Sequence, residues 1–220
     1  MMPYLYLIVL WLFFGLVHSL LATDWWKQWV QRKTGVYFRY YRLLYSFIAF
    51  FLLAMIIVYH WQVPAVRLWQ PILLLQLTGI LLLLAGVFIM GLSIRKYFFD
   101  LSGIAVFFPQ KTVNTSLETT GMHRYVRHPL YFGTLLAAWA SLLVFPLMSY
   151  LVSCVMMTIY TCVGVIFEER KLRETFGKEY KIYQQRVPML IPFLKATNYS
   201  TQKVLTDDTD LHRRDLMERR

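Results

Sequence analysis

"LYFGTLLAAWASLLVFPLMSYLVSCVMMTIYTCVGVIF", residues Leu130 to Phe167, is an apolar run without a single charged side chain. A helix needs about 20 mostly apolar residues to cross the hydrocarbon core of a bilayer, because each residue rises about 1.5 Å. The run is too long for one span, and Pro146 lies near its middle, where it would interrupt a continuous helix. The sequence therefore predicts two short helices that fold back on each other at "FPLMS".

Three further apolar runs precede this hairpin, at Tyr4–Ala22, Leu43–Tyr59 and Pro71–Ile94. The first lacks the basic start and the small-residue cleavage site of a signal peptide, so we interpret it as a span. Within hydrocarbon every backbone N–H and C=O group needs a partner inside the segment, which favours helices. We expect an all-α polytopic membrane protein with about five transmembrane helices, the last two forming the short C-terminal hairpin.

The chain is hydrophobic and basic. Hydrophobic residues make up 58% of its 220 residues and charged residues 16%, whereas an ordinary globular protein has about 25% charged residues. The formal net charge is +11. Lys and Arg concentrate between the first and second runs, between the third and fourth, and after the fifth, while only Arg67 lies between the second and third and none at the Pro146 turn. This alternation predicts an outside N-terminus and a cytoplasmic C-terminus, and the basic excess indicates contact with anionic lipid rather than nucleic acid.

The chain divides into three predicted parts. Residues 1–94 hold three transmembrane helices, residues 95–196 hold a polar loop, the hairpin and amphipathic cytoplasmic helices, and residues 197–220 form a polar tail that we expect to be disordered. After the hairpin, four side chains at three- and four-residue spacing predict the amphipathic helix: Leu172, Phe176, Tyr180 and Tyr183. Gly177 is predicted to end one helix before another begins.

The two cysteines, Cys154 and Cys162, both lie in the last apolar run. Small thiol side chains in such a run are typical packing residues. No Cys/His spacing of the zinc type occurs in the sequence, which therefore predicts no metal site.

The segment "GMHRYVRHPLYFG", residues 121–133, stands at the boundary between the polar loop and the hairpin. Arg127 is predicted to serve topology by binding lipid phosphate, and Pro129 suits the first turn of a helix, where no amide hydrogen is needed. His128 has two readings: an interfacial side chain without a function, or part of a site.

Glu168 and Glu169 follow the last apolar run directly, where a cytoplasmic helix end normally carries Lys or Arg. They are either the first residues of a surface helix or a carboxylate pair that receives a cationic or polyhydroxyl ligand. Because the hairpin brings its two ends together, we expect His128 and Tyr131 beside this pair, with Arg186 folding back toward it. Such a cluster at the membrane edge suits a reaction between a polar cofactor and a lipophilic acceptor.

These residues resemble a known family. "RHPLYFG" followed by "FEERKLRETFGKEYKIYQQRVPMLIP" is similar to the signature of the isoprenylcysteine carboxyl methyltransferase superfamily of integral membrane methyltransferases, and the similarity covers residues 121–192. The resemblance implies S-adenosylmethionine as the methyl donor. Carried over by position, it implies cofactor contacts from seven residues: Leu117, His123, His128, Pro129, Leu130, Tyr131 and Glu168.

Two positions depart from the eukaryotic members. His123 stands where they usually have Tyr, and Gly164 stands where they have an Arg associated with the substrate carboxylate. Four other segments, "FGLVHSLLAT", "RYYRLLYS", "YFFDLSGI" and "AAWASLLVF", resemble bacterial thiol S-methyltransferases that act on methanethiol, and a related family linked to nitrite and nitric oxide reduction. This branch implies a location in the bacterial inner membrane.

The expected reaction is transfer of the sulfonium methyl to a thiol or to another small or lipophilic acceptor. A thiol gains from a base or a nearby cation, since its unperturbed pKa is about 8.5. Arg186, Glu169 and His18 are the predicted catalytic residues, and His123 is a second candidate base. Two alternatives stay open: a carboxyl O-methyltransferase of the prenylcysteine type, and a non-catalytic ligand-binding or denitrification-accessory membrane protein.

Overall fold

The computed structural model describes residues 2–102 and 116–192, apart from the side chains of residues 96–102. Within these ranges the chain is helical and contains no strand. The helices are α1 (Met2–Ala22), α2 (Asp24–Thr34), α3 (Tyr41–Gln62), α4 (Leu73–Ser102), α5 (Pro129–Val144) and α6 (Met148–Arg186). The expected all-α architecture is confirmed; the expected polar tail at residues 197–220 and most of the loop before Ser116 lie outside the described residues.

Among the described residues, four helices are long and apolar enough to cross a membrane, namely α1, α3, α4 and α6, and α5 is a shorter apolar helix. The 16 residues of α5 extend about 24 Å, somewhat less than the roughly 30 Å of a hydrocarbon core. In α6 the apolar part is Met148–Phe167, and we treat the residues after it as lying outside the hydrocarbon. The chain is a polytopic membrane protein.

The predicted hairpin is confirmed, with its turn at residues 145–147. The amide of Leu68 donates to the Pro146 carbonyl at 2.8 Å, and the amide of Met148 donates to the Val66 carbonyl at 2.9 Å. The loop before α4 therefore supplies partners for backbone groups that the turn leaves unpaired. α5 and α6 run antiparallel from this turn, so the start of α5 lies beside the far part of α6.

Helices α4 and α5 pack closely through glycines. A Cβ atom on Gly86 would lie 2.8 Å from the carbonyl oxygen of Gly133, and one on Gly133 would lie 2.9 Å from that of Gly86. Small residues at a membrane helix interface let two backbones approach until dispersion contacts form. This contact fixes α5, and with it the residues at the start of α5.

Helices α1, α3 and α6 form a second packed group around Leu7, Trp11 and Ile56, which are buried. The hydroxyl of Tyr59 donates to the Pro3 carbonyl at 3.1 Å near one end of the group, and that of Tyr41 donates to the Leu21 carbonyl at 2.6 Å near the other. α1 and α3 are therefore antiparallel. We call the end with Leu21, Tyr41 and the start of α5 the site end.

The segment between the first two spans is more ordered than a loop. It forms α2 and a 3-10 helix, Gly35–Tyr40. Thr23 caps α2, because its hydroxyl oxygen accepts from the Trp26 amide. Exposed Trp25 and Trp29 give α2 the aromatic character of helices at a membrane surface.

α6 changes direction at Gly177, whose φ of +53° is non-helical. Gly tolerates this left-handed φ without a steric cost, and the prediction that Gly177 ends a helix is confirmed. The predicted amphipathic face also forms. Tyr180, Tyr183 and Val187 are buried together, and three half-buried residues pack against them: Leu117, Leu172 and Phe176.

Candidate functional site

The start of α5 is held by the segment that follows α6. The amide of Arg127 donates to the Pro188 carbonyl at 2.9 Å, and the amide of His128 donates to the Met189 carbonyl at 3.2 Å. Pro129 occupies the first turn of α5, where its missing amide hydrogen costs nothing. These contacts fix the backbone from which Arg127 and His128 project.

Glu169 is the centre of a buried hydrogen-bond network. Its Oε1 accepts from His128 Nε2 at 2.7 Å, from Arg127 Nε at 2.9 Å and from the Tyr180 hydroxyl at 2.7 Å. Its Oε2 accepts from Arg127 Nη2 at 3.1 Å and from the side-chain amide of Gln184. The residue is only 4% exposed, so this carboxylate is removed from water and supplied with five protein donors instead.

The network keeps Glu169 ionised. Burial by itself raises the pKa of this carboxyl group, but hydrogen bonds from His128, Arg127 and Tyr180 outweigh it and hold the pKa well below its usual range. An ionised carboxylate only accepts hydrogen bonds. The Nε2 atom of His128 therefore carries a hydrogen, which leaves Nδ1 as the atom that faces away from Glu169.

Arg127 has a larger role than topology. Its side chain is 10% exposed, and besides the two bonds to Glu169 its Nη1 donates to the carbonyls of Gln184 at 3.1 Å and Val187 at 2.6 Å. The prediction that Arg127 binds lipid phosphate is corrected, because its guanidinium forms its hydrogen bonds with groups inside the protein. The sequence carried one signal for this role: a carboxylate pair at a helix end needs a cation, and Arg127 is the basic neighbour of His128.

Glu168 lies outside this network at the membrane edge. Its side chain is 43% exposed, and its Oε2 lies 3.7 Å from His128 Nδ1. It also forms a hydrogen bond with Tyr131, whose ring stacks on that of His128 with centroids 5.7 Å apart. The hairpin thus brings together three of the predicted contacts, His128, Tyr131 and Glu168, while buried Pro129 and half-buried Leu130 begin the helix that carries Tyr131.

Leu117 and Arg186, two of the remaining predicted residues, line a cleft. Its volume is about 560 Å³, and it is lined by eight residues: Leu117, Thr119, Arg124, Glu179, Ile182, Tyr183, Arg186 and Val187. Arg186 is exposed there, so the guanidinium that reaches Glu169 is that of Arg127 and not that of Arg186. The half-buried His123 links the cleft to the network, since its carbonyl accepts from the Tyr183 hydroxyl at 2.6 Å and its Nδ1 lies 3.0 Å from the Arg127 carbonyl.

His18 forms a separate cluster near the site end. Its Nε2 lies 2.6 Å from the Tyr45 hydroxyl, and its Nδ1 lies 2.6 Å from the Tyr160 hydroxyl. The imidazole from α1 is therefore clamped between phenols from α3 and α6. Sequence reasoning identified His18 but neither tyrosine, because nothing local marks Tyr45 or Tyr160 as different from an aromatic at a helix interface.

Comparison with known proteins gives consistent results. The family described as NnrU protein matches residues 6–199. Methanethiol S-methyltransferase 1 of Bradyrhizobium diazoefficiens is 31% identical over 83% of this chain and 65% of its own length. The methanethiol S-methyltransferases of Pseudomonas deceptionensis and Crocosphaera subtropica are 31% and 29% identical, over 83% and 82% of this chain and 70% and 71% of theirs. The chain thus matches about two thirds of the length of these relatives, and no solved structure matches it.

Proposed function

The chain belongs to the NnrU protein family, and from that premise we propose that it is a membrane methyltransferase that uses S-adenosylmethionine to methylate a small thiol of the methanethiol type. The observation that carries the proposal is the network around Glu169, which holds His128 against an exposed second carboxylate, Glu168, at the membrane edge. The printed names of the relatives supply the acceptor class. The resemblance to bacterial methanethiol S-methyltransferases, read from short segments, is confirmed over most of the chain.

The residues fit the proposed methyl donor. The cleft volume of about 560 Å³ lies within the range of roughly 300–1,000 Å³ typical of small-molecule sites. Its lining combines the guanidinium groups of Arg124 and Arg186, the carboxylate of Glu179 and the apolar side chains of Leu117 and Ile182. This set suits a ligand with a carboxylate, an ammonium group and an apolar ring.

The donor-binding residues divide into two groups. Arg124, Arg186 and Glu179 would hold the charged amino-acid end by ion pairing, and Leu117 would pack on the ring. Glu168, whose carboxylate is 43% exposed, would accept hydrogen bonds from the hydroxyl groups of the ribose. When bound, S-adenosylmethionine supplies a methyl group activated by its attachment to a sulfonium sulfur.

Glu169 and Arg127 act as positioning residues in this proposal. Both carboxylate oxygens of Glu169 accept hydrogen bonds from protein donors, so the carboxylate orients His128 and Tyr180 rather than touching the substrate. His128 in turn orients Tyr131 by ring stacking and Glu168 through its Nδ1 atom. Alignment of the reacting groups is the main task of such an enzyme, because loose geometry forfeits most of the advantage of a bound pair of reactants.

The placement of the site sets the proposed orientation. The site end carries the basic residues of α2 and of α6 beyond Phe167, and the positive-inside rule assigns that side to the cytoplasm. We place the protein in a bacterial inner membrane with its N-terminus outside. A cytoplasmic donor then meets a lipophilic thiol that enters from the bilayer, at a boundary where water is scarce.

The test is a binding and transfer assay on purified protein in detergent. Wild type should bind S-adenosylhomocysteine in calorimetric titration and transfer labelled methyl to methanethiol in preference to a farnesylcysteine analogue. Glu168→Ala should lose binding at least tenfold, whereas Glu174→Ala, which removes an exposed carboxylate paired with Arg170 on the same helix, should bind as wild type does. Binding without transfer to any thiol, or preferred transfer to the prenylcysteine carboxylate, would overturn the proposed acceptor; unchanged binding by Glu168→Ala would overturn the site.

A further inference from the structure

In the cluster of His18, Tyr45 and Tyr160, one hydroxyl hydrogen is not used in the contacts with the imidazole. A neutral imidazole has one N–H donor and one acceptor nitrogen, and both nitrogens lie 2.6 Å from a phenolic oxygen. In one contact the phenol donates; in the other the imidazole donates, and that phenol's own hydrogen points elsewhere. If the imidazole is cationic, both phenolic hydrogens are left over. In every protonation state at least one O–H group is therefore directed away from His18.

Tyr45 is the residue that carries this free donor. Tyr160 has a second partner, since it also forms a hydrogen bond with Ser19. For Tyr45, the described part of the chain shows a hydrogen bond to the His18 ring alone. A half-buried hydroxyl among apolar helices is costly without a partner, so this side chain is prepared for a ligand that accepts a hydrogen bond.

The cluster adjoins the residues that hold the methyl donor in the proposed function. Tyr131 lies between them: it forms a hydrogen bond with Glu168, and it is close enough to interact electrostatically with both Tyr160 and Tyr45. On α6, Tyr160 precedes Glu168 by eight residues, or about 12 Å of helix. The cluster thus lies deeper than the donor site, on the side from which a lipophilic acceptor arrives.

We propose that Tyr45, His18 and Tyr160 form the acceptor site, in which the Tyr45 hydroxyl binds the thiol sulfur and His18 takes the thiol proton. This inference rests on the proposed thiol methylation. In that reaction the acceptor sulfur forms a C–S bond and its S–H bond breaks, while the electron pair of the broken donor C–S bond stays with the departing sulfur. One proton is therefore released: the Tyr160 hydroxyl takes it as it gives its own hydrogen to Nδ1 of His18, the nitrogen that is unprotonated while Nε2 donates to Tyr45.

The geometry satisfies the cluster before and after this transfer. Once both nitrogens of His18 are protonated, each N–H group faces a phenolic oxygen at 2.6 Å that accepts it. The positive charge of the sulfonium is replaced by that of the imidazolium, so the site keeps its net charge. This matters because an isolated new charge within a membrane protein is costly.

Several other groups face the cluster from the helices packed against it. Phe14 packs against the imidazole on α1, Tyr41 and Arg42 interact with Tyr45 on α3, and Tyr131 with Glu168 approaches from α5 and α6. Glu168, which interacts with Tyr131, is 43% exposed at the membrane edge, where the proton can reach water after the reaction.

The experiment measures thiol ionisation in donor-free protein as well as methyl transfer. An aromatic thiol whose ionised form has its own absorption band is titrated into wild type, His18→Gln, Tyr45→Phe and the control Tyr59→Phe, which removes an α3 phenol bonded to Pro3 at the opposite end. We expect the bound thiol to ionise at lower pH in wild type and Tyr59→Phe than in His18→Gln, with at least a tenfold difference in the ionised fraction. Tyr45→Phe should weaken thiol binding about tenfold.

Transfer assays then separate proton removal from a structural effect. His18→Gln should lose about 100-fold in rate with an alkanethiol, the scale of general-base catalysis, but less than tenfold with the already ionised aromatic thiol. Equal losses with both thiols and an unchanged ionisation titration would overturn the acceptor site, as would failure of wild type to bind the thiol. If wild type binds and ionises the thiol in a His18-dependent manner yet transfers no methyl group, the proposed function fails while the thiol site stands.

Discussion

Nε2 of His128 lies 2.7 Å from Oε1 of Glu169, although 41 residues separate the two in the chain. The hairpin α5–α6 makes this contact possible, and the ionised state of Glu169 gives it a direction, with the imidazole donating. One nitrogen of His128 is thus committed to the protein interior, and the other faces Glu168 at 3.7 Å. Two adjacent glutamates consequently have different chemical settings, one buried and saturated with donors, the other half exposed.

Replacing Glu169 should destabilise the protein strongly. Glu169→Gln leaves the buried guanidinium of Arg127 without its counter-ion and places amide hydrogens opposite other donors. Breaking one partner of a buried ion pair costs about 3–5 kcal/mol, so thermal unfolding in detergent should shift down by several degrees or more. Glu174→Gln, which disrupts only an exposed pair with Arg170, should change stability by less than about 0.5 kcal/mol. A Glu169→Gln protein as stable as wild type would contradict the structural role of the network.

The contribution of Glu169 should depend on pH in one direction. Its folded-state pKa is lowered, so the stabilisation is complete above the ordinary glutamate pKa of about 4.3 and is lost as pH falls from there toward the folded-state pKa. The difference in unfolding temperature between wild type and Glu169→Gln should stay constant from pH 7 to pH 5 and shrink below about pH 4. A difference that already shrinks between pH 7 and pH 5 would indicate a raised pKa instead.

The glycine contact between α4 and α5 should not tolerate a methyl group. In Gly86→Ala the new Cβ would lie 2.7 Å from the Ala137 amide nitrogen and 2.8 Å from the Gly133 carbonyl oxygen, and backbone atoms cannot move aside without separating the helices. We expect poor folding or loss of S-adenosylhomocysteine binding, because α5 carries His128 and Tyr131. Gly91→Ala, on the same helix with nothing within 4 Å of the new Cβ, is the matched control and should gain slightly from a better helix propensity.

Gly15 provides the space in which Tyr160 reaches His18. A Cβ atom there would lie 3.0 Å from Cδ2 of the Tyr160 ring, so Gly15→Ala should push this ring by a few tenths of an ångström. We expect methyl transfer to fall roughly tenfold while S-adenosylhomocysteine affinity is unchanged, since alignment at the acceptor site suffers and the donor site does not. Gly164→Ala on α6 has open space around its Cβ and should transfer methyl groups as wild type does. Equal rates of methyl transfer in the two variants would show that the position of the Tyr160 ring does not affect the reaction.

Much of this architecture could be predicted from the chain alone. An uncharged run longer than one span, with Pro146 near its middle, has few alternatives to a hairpin. Because a hairpin brings its ends together, the approach of His128 and Tyr131 to the Glu168–Glu169 pair followed directly. Gly177 and the tyrosine face of α6 were equally visible, since helix periodicity and glycine chemistry are local properties.

Other features depended on contacts that no local pattern encodes. The sequence does not distinguish a basic residue that binds lipid phosphate from one that binds a buried carboxylate. The role of Arg127 therefore became clear only from its contacts with Glu169, Gln184 and Val187. Arg186 showed the converse, being expected beside the glutamates and found at the cleft. Helix α2 was not identified from the sequence, because the basic residues between the first two spans are also typical of a loop. The cap at Thr23 and the tryptophans of α2 were the local signals of a helix.

The sequence by itself determined a membrane-embedded helical chain whose hairpin joins an imidazole to a carboxylate pair, because hydrophobic length and proline placement leave the backbone little choice. Only the tertiary structure decided which glutamate is buried. Consecutive residues on a helix point about 100° apart, and the packing of α6 against α5 turns Glu169 inward and leaves Glu168 at the edge. Likewise, Tyr45 and Tyr160 became partners of His18 only because α1, α3 and α6 pack in one particular register.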